Sequence, residues 1–155
     1  MVIKGTRDDY DYECGFTCGA FDLLHPGHVS MLDFCSDRCG RLIVGLHVDP
    51  SIERKCKNKP VMTVYERYKM ISSLYQVNQV IPYETEQDLE NILSIEPINA
   101  RFIGMEYYGN ILTGESICRT RGIEIVYTPE RLHSLSSSSI RKRVATRNES
   151  LDVYR

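Results

Sequence analysis

Residues 19–28 read Gly-Ala-Phe-Asp-Leu-Leu-His-Pro-Gly-His, and this stretch decides the fold. Upstream of it, Cys14, Phe16 and Cys18 fall at alternate positions of Tyr12 to Cys18, the period of a strand with a buried face. Downstream, Pro26 has the fixed φ that suits a first helical turn, and Val29, Leu32, Cys35 and Cys39 follow at helical spacing along one face. A strand therefore runs through a glycine turn into a helix, with two histidines at the helix entrance. The first turn of a helix directs unpaired N–H groups and the positive end of its dipole outward, so an anion is attracted there. Gly27 permits close approach to the backbone, and His25 and His28, three residues apart, can aim both imidazoles at the same phosphoryl oxygens.

Working outward, strands and helices alternate. Arg41 to Val48 is an apolar, β-branched run that reads as a buried parallel strand, in which His47 reads as a packed residue. Thr63 and Glu66 form a capping box that opens a helix with Val64, Tyr68, Ile71 and Leu74 or Tyr75 facing inward, and Arg67 in its first turns. Val77 to Ile81 reads as a strand, Thr85 to Ile95 as an acidic amphipathic helix and Arg101 to Gly104 as a short strand. After Met105 to Thr113, which has no clear period, comes a helix to Arg121 stopped by Gly122, then a fifth strand from Ile123 to Tyr127. Leu135 to Val144 begins in serines and ends as a basic helix. Such alternation implies right-handed crossovers and an α/β, Rossmann-like, doubly wound domain on a five-stranded parallel sheet, with its ligand crevice at the carboxyl ends of the strands. The expected domain is 11–146, with 1–10 and 147–155 as terminal extensions.

At 155 residues, 42% hydrophobic and 26% charged, the chain is of ordinary globular composition, and a net charge of −2 argues against a nucleic-acid-coating protein. Arg141, Lys142, Arg143 and Arg147 read as a solvated helix face. Leu42 to Leu46 and similar apolar runs are too short to span a bilayer, and Met-Val-Ile-Lys does not begin a signal peptide, so a soluble cytoplasmic protein is expected. Cys14 and Cys18 repeat the spacing of Cys35 and Cys39. Four residues along a strand span about 13 Å, too far to share one metal, and Cys35 and Cys39 continue an apolar stripe. Buried thiols are therefore expected, and no protein-held metal.

Two further segments carry phosphate-binding chemistry. Ser51 to Pro60 holds Lys55, Lys57 and Lys59 at alternate positions, a possible phosphate clamp or simply a solvated loop. Glu130 to Arg141 places hydroxyls and backbone donors at the start of the last helix.

The ten residues 19–28 resemble, without a gap, the H-x-G-H motif of the nucleotidyltransferases typified by glycerol-3-phosphate cytidylyltransferase. The resemblance implies that His25 and His28 stabilise the α-phosphate of a nucleoside triphosphate, with Gly19, Ala20, Phe21, Asp22 and Gly27 of the same stretch forming part of the nucleotide site. Arg131, followed by Leu-Ser-Ser-Ser-Ser-Ile from Leu135 to Ile140, is similar to the family's second signature, which implies that Arg131, Ser136, Ser137 and Ser138 hold the triphosphate. Pro60-Val61-Met62 with Glu66-Arg67-Tyr68 resembles choline- and ethanolamine-phosphate cytidylyltransferases. That match puts Lys57 and Lys59 on the family's phosphate-contacting lysines and adds Arg67 to the binding residues. Gly104 and Glu106 fall where relatives contact base and ribose, although Gly104-Met105-Glu106-Tyr107 departs from their Gly-Asp-Asp or Gly-Gly-Asp-Tyr. Ile111 to Glu124 resembles instead the adenylyltransferase half of ADP-heptose synthases.

The function so implied is attack of a small phosphorylated alcohol, of the glycerol 3-phosphate kind, on the α-phosphorus of CTP, with pyrophosphate released and Mg²⁺ carried on the triphosphate. The alternative is an adenylyltransferase joining ATP to a sugar (heptose) phosphate; a non-catalytic nucleotide sensor is the alternative of another class. The resemblance also implies a homodimer, while net charge and the short apolar runs lead to no nucleic acid and no membrane being expected as a partner.

Overall fold

The computed structural model describes residues 10–130 and 135–152, the side chains as far as 147. Strand β1 (Tyr12–Gly19) leads into helix α1 (Pro26–Ser36), followed by β2 (Cys39–His47), α2 (Val64–Ser72), β3 (Gln79–Tyr83), α3 (Glu86–Ile95) and β4 (Ala100–Gly104). A 3₁₀ turn (Met105–Tyr107), α4 (Glu115–Arg121), β5 (Glu124–Thr128) and α5 (Ser137–Asp152) complete the described chain.

All five strands are parallel, in the order β3-β2-β1-β4-β5. This is the expected doubly wound sheet. β1 is central, and the chain winds outward from it first through β2 and β3, then through β4 and β5, so Gly19 lies at the topological switch point where such sheets open a crevice. Both faces are covered, which is why the strands read as near-continuous apolar runs. One face packs Leu42, Val44, Leu46, Ala100 and Phe102 against Leu32 and Cys35 of α1 and Ile71 of α2. The other packs Cys14, Phe16, Ile43 and Tyr83 against Leu89, Ile92 and Leu93 of α3 and Cys118 of α4.

The local signals hold where they are self-contained. Thr63 and Glu66 make both capping-box bonds, and Thr85 with Asp88 makes a second box at α3. Gly122 ends α4 at φ 69°, a left-handed cap that suits glycine. The third and fifth strands start one to two residues later than the pattern predicted.

Two expectations fail for tertiary reasons. Cys39 is not on the face of α1: the helix stops at Ser36, Asp37 donates its N–H to the Asp33 carbonyl, and Cys39 opens β2 opposite Tyr12. The two thiols still meet, since the Cys39 Sγ donates to the Cys35 carbonyl (3.2 Å), and both are fully buried. Tyr68 does not face inward but is 38% exposed, because the inward positions of α2 are taken by Ile71 and, unexpectedly, by Arg67. All six cysteines are free. No helix among the described residues is long and apolar enough to cross a membrane.

Candidate active site

The β1–α1 turn folds under strain. Phe21 and Leu23 adopt φ of 48° and 51°, left-handed values that cost a non-glycine residue on the order of 1–2 kcal/mol each. The surrounding contacts enforce them: the Phe21 side chain is buried, with its ring 5.3 Å from that of His28. His25 is the N-cap of α1, and its Nδ1 accepts the Gly27 N–H at 3.0 Å. That bond makes Nδ1 the acceptor and leaves Nε2 to carry the proton of the neutral ring. The His28 ring stacks on it, centroids 3.8 Å apart and planes 25° apart. Two imidazoles are thus presented side by side at the N-terminus of a helix.

They open onto a cavity of about 860 Å³ running across the carboxyl ends of the strands. Gly19, Ala20, Phe21, His25, Gly27 and His28 line it. From the lysine loop, Lys57 lines it and donates from Nζ to the Tyr107 hydroxyl at 2.9 Å; Lys55 and Lys59 are exposed and lie outside the lining. Gly104 and Glu106 line it opposite, the Glu106 carboxylate lying in the space that a side chain at residue 104 would fill.

Other residues of the expected site serve the scaffold. Asp22 is buried and does not line the cavity: its carboxylate accepts the N–H groups of Val61 and Met62, both at 2.9 Å, and pairs with Arg141 at 2.5 Å. Burial alone would raise its pKa, but these donors and the Arg141 charge hold it below the usual aspartate value. Arg141 is therefore not merely part of a solvated face. Arg67, 2% exposed, spends its guanidinium on the carbonyls of Met62, Ala20, His47 and Val48, joining the ends of β1 and β2 to the loop before α2. Ser136 caps α5 through reciprocal bonds with Ser139, Ser137 donates to the Asp22 carbonyl, and Ser138 is exposed. The last helix is thereby fixed beside the first motif. Arg131 lies outside the described residues, as does His133.

Sequence reasoning missed a second set of groups. The strand registers set Cys18, His47, Tyr83 and Arg101 on the same face of the sheet, toward α3 and α4, and all four line the cavity. His47 stacks on Tyr83 and lies 3.2 Å by Nε2 from the Glu84 carbonyl; burial pushes its pKa below the ordinary imidazole value, against the Glu84 bond and the Glu86 charge. His47, Glu53 and Glu86 bring potential metal-ligand atoms within 4.8 Å of one another. Within the trio, Glu86 pairs with Arg54 at 2.7 Å and accepts the Thr113 hydroxyl, and Glu53 accepts the Glu86 N–H. These bonds tie the loop after β2 to the start of α3 and to Thr113. The signal for this set was present in the sequence as a histidine and an arginine inside apolar strands.

The profile of the cytidylyltransferase-like family matches residues 16–143. Bifunctional protein HldE of Nitrobacter hamburgensis is 34% identical over 134 residues, 86% of this chain and 27% of the relative. HldE of Caulobacter vibrioides is 36% identical over 126 residues, 81% of this chain and 26% of the relative. The chain spans about a quarter of the length of these relatives. The crystal structure of the lipopolysaccharide core biosynthesis protein from Thermoplasma volcanium superposes with a TM-score of 0.62 at 23% identity, over 76% of this chain and 97% of that one, and so shares the fold.

Proposed function

The chain belongs to the cytidylyltransferase-like family, and on that premise we propose that it is an adenylyltransferase that joins ATP to a sugar phosphate. The observation that carries the nucleotide and acceptor choice is the run of HldE relatives at 34–38% identity, together with the likeness of Ile111 to Glu124 to the adenylyltransferase half of ADP-heptose synthases. CTP with a glycerol 3-phosphate-like acceptor is the second reading. It rests on the first motif, the lysine loop and the Arg131 segment, whose likeness extends to cytidylyltransferases.

An oxygen of the acceptor phosphate attacks the α-phosphorus, the bond from that phosphorus to the bridging oxygen breaks, and pyrophosphate leaves with the electron pair. The nucleophile is already an anion, so the protein must align it and neutralise charge in the five-coordinate transition state. His25, with Nε2–H as donor, and His28 act at the α-phosphate oxygens, backed by the dipole of α1. Lys57 bridges the two reacting phosphates and is oriented by Tyr107. Arg131 and the entrance of α5 take the β- and γ-phosphates, with Lys59 at the margin, while Asp22 and Arg67 hold the loops in place. Mg²⁺ would enter with the triphosphate and would supply charge neutralisation there. A cytoplasmic homodimer is proposed with this reading.

The test is kcat/KM for ATP and CTP with a heptose 1-phosphate and with glycerol 3-phosphate. A preference of tenfold or more for ATP with the sugar phosphate is expected. The reverse preference would make the chain a cytidylyltransferase and leave the roles of the histidines standing.

A further inference from the structure

Arg54, Lys57, Tyr107 and Thr113 line the cavity, and Glu86, which does not, closes them into a ring from behind its wall. The Glu86 Oε1 pairs with Arg54 of the lysine loop at 2.7 Å, and its Oε2 accepts the hydroxyl of Thr113, which lies just before α4. The two segments so anchored meet again at the cavity, where the Lys57 Nζ donates to the Tyr107 hydroxyl at 2.9 Å. Of the five residues only Glu86 lies on an α-helix, at the first position of α3, whose Leu89, Ile92 and Leu93 are buried in the core. Short backbone bonds carry the anchorage along each segment. The Lys57 N–H donates to the Arg54 carbonyl at 2.9 Å and the Arg54 N–H to the Pro50 carbonyl at 3.1 Å, so a fixed Arg54 fixes the turn that presents Lys57. On the other side the Thr113 carbonyl accepts the Arg101 Nη1 from β4, and the Asn110 N–H donates to the Tyr107 carbonyl at 3.1 Å. Glu53 adds a second tie from the lysine loop by accepting the Glu86 N–H at 2.8 Å. The Oε1 that pairs with Arg54 is sealed from solvent, which separates this ion pair from the screened surface pairs that contribute little.

We infer that Glu86 is a positioning residue: from a fixed point on α3 it holds the lysine loop and the segment from Tyr107 to Thr113 in one geometry, and so sets where the Lys57 ammonium stands in the cleft. The inference rests on the proposed reaction for the task of Lys57, and on the ring alone for its placement. A lysine is a point charge on a flexible stem, and misplacing a catalytic group by about 1 Å can cost on the order of a hundredfold in rate. One bond between two loops would hold that charge loosely, whereas a ring closed on a packed helix holds it where the phosphates meet. The plainer role for an acidic side chain at this position is to stabilise the first turn of α3 through the helix dipole. That role would leave Lys57 untouched, which is what separates the two in experiment.

Glu86→Asp is the informative variant, because it keeps a charge in the first turn of α3 and withdraws the carboxylate by one methylene from Arg54 and Thr113. Acylation of amines with acetic anhydride, read by peptide mass spectrometry, follows Lys57 without turnover. In Glu86→Asp, Lys57 should be acylated at least threefold faster than in wild type, with Lys55 and Lys59 unchanged. Arg54→Met, which breaks the same ion pair from the loop and leaves α3 untouched, should have the same effect on Lys57. In turnover with ATP and heptose 1-phosphate, Glu86→Asp should lower kcat at least tenfold when Lys57 is present and less than threefold when Lys57 is already alanine, the non-additivity expected of a residue that acts through another. Faster acylation of Lys57 in a protein that releases no pyrophosphate with any substrate pair would sink the proposed reaction and keep the positioning role. Unchanged acylation of Lys57 in either variant, or equal losses of kcat with and without Lys57, would overturn the positioning role and keep the reaction.

Discussion

The hydroxyl of Ser137 donates to the main-chain oxygen of Asp22 at 2.5 Å, joining the start of the last helix to the middle of the first motif across 115 residues of chain. The Asp22 carboxylate extends that junction to Val61, Met62 and Arg141. The residue reads in sequence as part of a nucleotide site and acts in the fold as a three-way clasp.

Asp22→Ala should therefore destabilise the protein by about 3 kcal/mol, the usual cost of leaving a buried charge network without its partner. The clasp is also pH-dependent. Its folded pKa lies below the unfolded value, so its contribution is complete above about pH 4–5 and is lost as pH falls through the folded pKa. Urea denaturation from pH 6 down to 3 should show wild type losing this increment, and Asp22→Asn varying less over the same range.

Arg67 gives a second stability prediction. Its guanidinium serves four carbonyls on three segments, and a lysine cannot reproduce that fork. Arg67→Lys and Arg67→Ala should each lower unfolding free energy by at least about 2 kcal/mol in urea titrations. A loss of nucleotide affinity with stability intact would instead place the guanidinium at the ligand.

The contrast between these residues and the capping boxes explains what the sequence made legible. Thr63 with Glu66, Gly122 and the strand-turn-helix around Gly19 are local devices, complete within a few residues, and each is found where its pattern lies. The strand order, with β1 central, follows from the winding rule once the alternation is recognised. What Asp22 and Arg67 do depends mostly on partners far along the chain, up to 119 residues away, which residue type and spacing do not encode. Cys39 misled because its spacing from Cys35 suits a helix while the chain has already turned into β2. Arg101 and His47 were readable as polar residues within apolar strands, but only the register sets them on one face.

The histidines should separate by function. His28→Ala should lower turnover at least about a hundredfold, roughly 3 kcal/mol of transition-state stabilisation, with little change in stability. His25→Ala should cost similar turnover and also stability, because His25 caps α1. His25→Asn should restore the cap and not the rate, which thermal melts and single-turnover kinetics together would reveal.

In the lysine loop, Lys57→Ala should reduce kcat/KM by tenfold or more, and Lys55→Ala and Lys59→Ala by less than threefold, since only Lys57 lines the cavity. Tyr107→Phe should show a smaller loss of the same kind, through the missing contact to Nζ. Equal and small effects at all three lysines would mark the loop as solvent-facing.

The most direct test of the central claim is the stoichiometry of pyrophosphate release with ATP and heptose 1-phosphate together. One pyrophosphate per nucleotide sugar formed, dependent on both substrates and reduced a hundredfold or more in His28→Ala, is the predicted result. Saturable ATP binding to the wild-type protein, with no pyrophosphate above the His28→Ala background for any acceptor or triphosphate, would contradict it and leave a nucleotide-binding module in place of an enzyme.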